Sequence, residues 1–333
     1  MNFDFSEDQH EIRRNAKDML AKRSSMAKVR EAAESKTYDS SLWTEFAELG
    51  WPGVAISEDY DGGGLGMVEL ASLIEESGYS LAGTPFFASA ACGLAIQEAG
   101  SDEQKQQWLP GLASGELKGS FGVEGALFPD GAEADVIVSV SADGSSAVVG
   151  AASAFEVEAV DAIDPTRRYA RVSGGGSDAL PGDVGNALAL VAIITSAELV
   201  GISQRNLEMT VEYVKDRKQF GKPVGSFQAV QHRTAQMLLH TEGAKSATYF
   251  AAWAADADRD RLAEGAALAK AAASNSGIET GNSAIQSHGG IGFTWEADVH
   301  WLYKRAQMDA AYVGGAKTHR AKLTELAAAK IAA

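Results

Sequence analysis

The chain has 333 residues, 29 Lys+Arg against 45 Asp+Glu, a formal net charge of −16 and 45% hydrophobic residues. That hydrophobic content excludes a disordered chain, the length allows two or three domains at roughly 100–200 residues each, and the acidity speaks against nucleic acid and anionic membranes as partners. The single cysteine, Cys92, excludes a disulfide framework and cysteine-based zinc sites.

The acidic start through Glu7 and Asp8 lacks the basic and apolar regions of a signal peptide. The longest apolar run, Ala187 to Ala197, is short of the roughly 20 residues that span a bilayer. The expectation is a soluble, cytoplasmic protein.

Residues 1–117 read as helices joined by short turns. Ser6 precedes Glu7, Asp8 and Gln9 as an N-cap with acidic first-turn residues, opening a helix to about Arg23. Leu42, Phe46 and Leu49 share one helical face, stopped by Gly50. Asp61-Gly62-Gly63-Gly64-Leu65-Gly66 forms a loop, and a helix from about Val68 to Gly78 follows.

Residues 118–185 change character. Asp135 to Val140 and Ser146 to Val149 are β-rich runs split by the turn pair Asp143-Gly144, and Arg168 to Val172 reads as a further strand. Gly174 through Gly182 reads as a flexible link. Its Gly174-x-Gly176-x-x-Ala179 spacing mimics a dinucleotide fingerprint, but no helix opens on it.

Residues 186–333 return to helix. Leu188, Val191, Thr195, Leu199 and Ile202 mark a first helix from Asn186 to Lys218. Val230, Met237, Leu238, Tyr249, Phe250 and Trp253 mark a second from Ser226. An Ala-rich third ends at Gly289-Gly290, a fourth runs from about Glu296 to Tyr312, and a short one follows Gly315. Four long helices on short connections predict an antiparallel bundle. The fold class is therefore mainly α: a helical domain, a small β-domain, and a four-helix bundle.

Common site patterns are absent. One Glu-x-x-His pair, Glu7 and His10, cannot build a di-iron site that needs two. The six histidines lack zinc spacing, and neither a Gly-x-Ser-x-Gly elbow nor a Walker loop occurs. Two segments carry more. Asp216-Arg217-Lys218-Gln219-Phe220-Gly221-Lys222 puts a guanidinium, an aromatic and a glycine at a helix end, which suits a phosphate-bearing aromatic ligand. Taken alone it reads more simply as a basic end complementing the helix dipole. Gln286-Ser287-His288-Gly289-Gly290-Ile291-Gly292-Phe293-Thr294-Trp295-Glu296 carries paired glycines that either cradle phosphate or cap a helix.

Together these segments resemble the acyl-CoA dehydrogenase family, and the resemblance covers the whole length. The start Phe3-Asp4-Phe5-Ser6-Glu7-Asp8-Gln9 is similar to the family's opening helix. So are Leu49-Gly50-Trp51-Pro52-Gly53 with Glu58 to Gly66, and the stretch from Gln104 to Glu116 that enters the β-domain. Arg217-x-x-Phe220-Gly221 and Gln286-x-x-Gly289-Gly290-x-Gly292 resemble its C-terminal signatures. The resemblance implies FAD as cofactor, an acyl-CoA thioester desaturated to a 2-enoyl-CoA, a carboxylate base, and an electron-transfer flavoprotein as electron acceptor.

The departures refine this. The family's usual Tyr-Glu-Gly-Thr base stretch reads Tyr312-Val313-Gly314-Gly315, and the alternative base position falls on Val191; neither valine accepts a proton. Glu198 lies seven residues beyond Val191 on nearly the same face, about 10 Å along the helix. It is the candidate catalytic base, or else the partner of a basic residue in the bundle. In the β-domain only Glu124 resembles the family's flavin motif, and the Trp-bearing strand is missing. What survives is Arg217, Gln219, Phe220, Gln286, Gly289 and Gly290, on the side that members extend to a neighbour's FAD.

A chain with the lent half of a flavin site and not its own resembles the smaller subunits of two-component acyl-CoA dehydrogenases of bacterial sterol side-chain degradation. Ile291 to Glu296 and Asp164-Pro165-Thr166-Arg167-Arg168 also look like that subgroup. The implied partner is a larger homologous subunit in a heterotetramer that supplies the base. The alternatives are a self-sufficient homo-oligomer using Glu198, and a non-catalytic scaffold or CoA-binding module. Arg167, Arg168 and Arg171, and separately Lys317, His319, Arg320 and Lys322, read either as phosphate contacts or as solvated faces. The expected divisions are 1–117, 118–185 and 186–333.

Overall fold

The computed structural model describes residues 4–175 and 178–332, so Phe3, Gly176 and Ser177 of the motifs above lie outside the described residues. The first part holds α1 (Glu7–Arg23), α2 (Met26–Ser35), α3 (Ser40–Glu48), α4 (Met67–Ser80), α5 (Phe86–Ala99) and α6 (Asp102–Ala113). Ser6 opens α1 with a reciprocal capping box to Gln9, which satisfies two orphan N–H groups of the first turn. α2, α5 and α6 are not marked by periodicity. In α5 the reason is physical: nearly every side chain is apolar or small and buried, so no polar face sets a 3.6-residue rhythm. Leu49 caps α3 and is exposed, so it is not part of the buried stripe of Leu42 and Phe46.

Two small sheets follow. β1 (Gly119–Val123), β3 (Val136–Val140), β4 (Ala147–Ala151) and β7 (Asp178–Ala179) form one, in the order β1-β3-β4-β7. β1 runs parallel to β3, and β3 pairs antiparallel with β4 in the register Val140↔Ala147, closed by the Asp143-Gly144 turn. β2 (Leu127–Pro129), β6 (Tyr169–Ser173) and β5 (Glu156–Val160) form the second, antiparallel in the order β2-β6-β5. The expected link is shorter than its composition suggests, because Asp178 and Ala179 add a strand to β4.

The last part is α7 (Val184–Asp216), the two-residue strands β8 (Lys218–Gln219) and β9 (Lys222–Pro223), α8 (Gln228–Ala257), α9 (Leu262–His288), α10 (Val299–Ala311) and α11 (Ala316–Ala332). α7 is long and apolar enough to cross a membrane by length and composition, yet 78% of its most apolar window is buried inside the protein. It is the central helix: its buried apolar side chains from Val184 to Ala197 pack in one cluster with Leu70, Leu73 and Ile74 of α4 and Phe86, Phe87 and Leu94 of α5, while Leu199, Val200 and Ile202 join a second with Val29, Trp301 and Leu302. The α4–α7 approach is tight because Gly201 allows it; a Cβ there would overlap the Glu75 carbonyl oxygen. On α8, Met237 is buried but Leu238 is exposed, so the expected stripe is narrower than its apolar pattern.

Candidate functional site

α7 ends at Asp216, and the chain turns back through the β8–β9 hairpin before α8. The hairpin tip is Phe220-Gly221, both with positive φ of 53° and 79°. Positive φ in a bulky aromatic residue is a strained arrangement. Here it holds the Phe220 ring out at 92% exposure, edge-on to Phe227 at 6.2 Å. Beside it α9 ends at Gly289, whose φ of 66° caps the helix.

These two helix ends enclose a cleft of about 410 Å³ lined by Tyr213, Arg217, Gln219, Val224, Ser287, His288, Gly289, Gly290 and Ile291. Four predicted residues, Arg217, Gln219, Gly289 and Gly290, thus meet in one place. Phe220 stands at the adjacent hairpin tip, and Gln286 is exposed on the last turn of α9, outside the lining. Sequence reasoning missed Tyr213 and His288, whose rings stack at 4.2 Å and 20° and form one wall. The Tyr213 hydroxyl donates to the His288 carbonyl at 3.3 Å. Burial lowers the His288 pKa, so its ring is kept neutral in the cleft.

The cleft has the chemistry of an anion-and-ring site. Arg217 makes no side-chain hydrogen bond or ion pair among the described residues. The Ser287 hydroxyl is buried without a partner. Nothing would stand within 4 Å of a Cβ on Gly289 or Gly290, so their backbone is open to a bound group. A free guanidinium for phosphate, open backbone and an outward aromatic fit the pyrophosphate and ring system of FAD.

The second place that the sequence marks is closed. Tyr312 donates to the Phe121 carbonyl at 2.7 Å and meets Phe87 edge-on at 5.7 Å. The Arg167 guanidinium lies 4.5 Å from the Phe87 ring centroid, and all four side chains are buried. Val313 has φ of 48°, a strained value for a β-branched residue. Its loop is held by the Lys270 ammonium, which donates to the carbonyls of Asp309, Ala310 and Gly314 at 3.0–3.1 Å. Glu124 is exposed at the end of β1.

Glu198 is buried, and its Oε1 accepts from Arg167 at 2.7 Å and Arg305 at 3.0 Å. Arg167 therefore faces carboxylates, neither a phosphate nor solvent: it also pairs with Asp309 at 3.3 Å. Arg168 reaches the Pro165 carbonyl, while Arg171 pairs on the surface with Glu158.

Residues 6–116 match the family description "Acyl-CoA dehydrogenase, N-terminal domain" and residues 184–327 match "Acyl-CoA dehydrogenase, C-terminal domain". Acyl-CoA dehydrogenase IpdE2 of Mycobacterium tuberculosis is 33% identical over 306 residues, 91% of this chain and 92% of that protein. The chain belongs to the acyl-CoA dehydrogenase family. Members of this family are flavoproteins with FAD as cofactor. Among solved structures, a variant of the Tcur3481–Tcur3483 steroid ACAD superposes with a TM-score of 0.88 at 25% identity, covering 98% of this chain and 99% of that one. The ChsE4–ChsE5 complex from Mycobacterium tuberculosis gives a TM-score of 0.87 at 23% identity over 98% and 99%, a likeness of fold. The family's fold is thus present: helices, a small β part, then a helical bundle.

Proposed function

We propose that this chain is the flavin-lending subunit of a heteromeric, FAD-dependent acyl-CoA dehydrogenase whose larger subunit carries the base and the remainder of the flavin pocket. One observation carries the reading: the Arg217–Gly290 cleft is built and open, while the space around Phe87, Phe121, Arg167 and Tyr312 is filled by the chain's own side chains. When bound, FAD supplies the hydride acceptor for α,β-desaturation of an acyl-CoA thioester. Arg217 would neutralise a phosphate bidentately, Gly289 and Gly290 would admit it, and Phe220 would cover an adjoining ring. Gln219 and Gln286 would hydrogen-bond at its margin.

The base is assigned to the partner because Val313 and Val191 carry no ionisable group. Glu198 is read as a structural counter-ion rather than a base, since two guanidiniums hold its one bonded oxygen. The relatives support a two-chain assembly: the Tcur3481–Tcur3483 and ChsE4–ChsE5 structures each name two proteins. The former is a steroid enzyme, which makes a steroid-derived acyl-CoA the substrate class to try first. An electron-transfer flavoprotein would take the electrons from the reduced flavin, in the cytoplasm.

Co-expression with a larger homologous subunit, followed by flavin absorbance and an acyl-CoA panel, tests the proposal. The expected result is FAD and turnover in the complex and neither in this chain alone. Stoichiometric FAD with acyl-CoA oxidation by the isolated chain would overturn it and return Glu198 to the role of base.

A further inference from the structure

A second feature, independent of the flavin cleft, joins the β part to the bundle. Asp130, Asp164, Arg167 and Tyr169 come from the β part, Glu198 from α7, and Arg305 and Asp309 from α10; each is 5% exposed or less. The arrangement sets two guanidiniums against four carboxyl groups. Asp164 is fully engaged: Thr166 donates to one oxygen from its N–H and hydroxyl, and Arg305 and Tyr169 donate to the other. Desolvation pushes its pKa up, but Arg305 and Thr166 outweigh that and leave it below the ordinary value. Glu198 takes both guanidiniums on Oε1.

The remainder is under-supplied. Glu198 Oε2, Asp309 Oδ2 and Asp130 Oδ2 are buried and accept no hydrogen bond. The nearest further basic group, Lys270 on α9, directs its N–H groups at Ser274 and the carbonyls of Asp309, Ala310 and Gly314, and burial lowers its pKa to about 7, so it adds little positive charge. Arg167 is shared by Glu198, Asp309 and Asp130, and negative charge in excess of its counter-ions in a buried site is neutralised by protonation.

We propose that a proton on Asp309 closes this joint between the β part and the bundle, and that its loss to bulk water, leaving a second carboxylate against Glu198, loosens the joint. The groups facing Asp309 are Glu198 on α7, Arg305 on α10, Lys270 on α9, and Asp164, Arg167 and Tyr169 in the β part, with Tyr312 in the following loop. Burial and the Glu198 charge raise the Asp309 pKa well above the ordinary carboxyl value, and Arg167 and Arg305 offset this only in part. The joint is therefore tight while Asp309 holds its proton and weakens as pH rises through its ionisation midpoint, which burial and the Glu198 charge place well above that of an exposed carboxylate.

Infrared spectroscopy of the whole chain at about pH 8, where exposed carboxylates are ionised, reads the proton directly. The wild type should show a neutral-carboxyl C=O absorption that Asp309→Asn lacks, and the variant's melting temperature should fall less with rising pH than the wild type's, the contributions of Asp130 and Lys270 being common to both. Glu198→Gln keeps the test sharp if Asp309→Asn fails to fold: removing the neighbouring charge should move the ionisation midpoint down. No neutral-carboxyl band in the wild type, or an unmoved midpoint in Glu198→Gln, would overturn the proposal.

Discussion

Arg167 donates to Glu198 across 2.7 Å with both side chains 3% exposed, tying the segment before β6 to the middle of α7. A pair this buried is expensive to leave half-made, because Glu198 then shares Arg305 alone and Asp309 loses the guanidinium it pairs with. Arg167→Met should cost about 3–5 kcal/mol, and pairing it with Glu198→Leu should recover part of that, the remainder belonging to Asp309 and Asp130. Denaturant unfolding of the two single variants and the double variant checks this; equal losses in the single Arg167→Met and the double variant would contradict it.

Asp130 gives a pH dependence of defined sign. Burial raises its carboxyl from 3.8 to about 6, with Arg167 and the Tyr38 hydroxyl opposing. The folded state thus binds a proton more tightly than the unfolded chain. Its contribution is fully present below pH 3.8 and is lost as pH rises through about 6. At about 1.4 kcal/mol per pKa unit the difference is on the order of 3 kcal/mol. Asp130→Asn should flatten that portion of the stability–pH curve, as measured by thermal unfolding across the range.

At the flavin cleft, stability and function should separate. Phe220 is almost wholly exposed, and the Arg217 side chain has no partner among the described residues. Phe220→Ala and Arg217→Ala should leave unfolding within about 0.5 kcal/mol of wild type. In the co-purified complex each should lower FAD content, with Arg217→Ala also reducing its salt sensitivity. Flavin absorbance of the purified complexes at two ionic strengths decides the matter.

Gly201 tests the α4–α7 contact. A methyl group there meets the Glu75 backbone carbonyl, which cannot rotate away as a side-chain end can. Gly201→Ala should therefore destabilise by about 1–3 kcal/mol or more despite its better helix propensity. Gly243→Ala on α8, where nothing stands within 4 Å of the added atom, should be neutral or stabilising.

What the sequence determined by itself was local or periodic. The Ser6 capping box, the Asp143-Gly144 turn, the Gly289 cap and the long bundle helices depend on residues a few positions apart, whose propensities act before any tertiary contact. The Arg217 and Gly289-Gly290 segments were legible as motifs for the same reason. Tertiary structure alone decided that these segments share a cleft, and that Tyr213 and His288 wall it. It also decided the fate of the charges. Arg167, Arg305, Asp309 and Lys270 look like surface residues in a sequence, because a lone charge prefers water. Only the three-dimensional approach of the β part, α7, α9 and α10 supplies the opposite charges and carbonyls that let them remain buried.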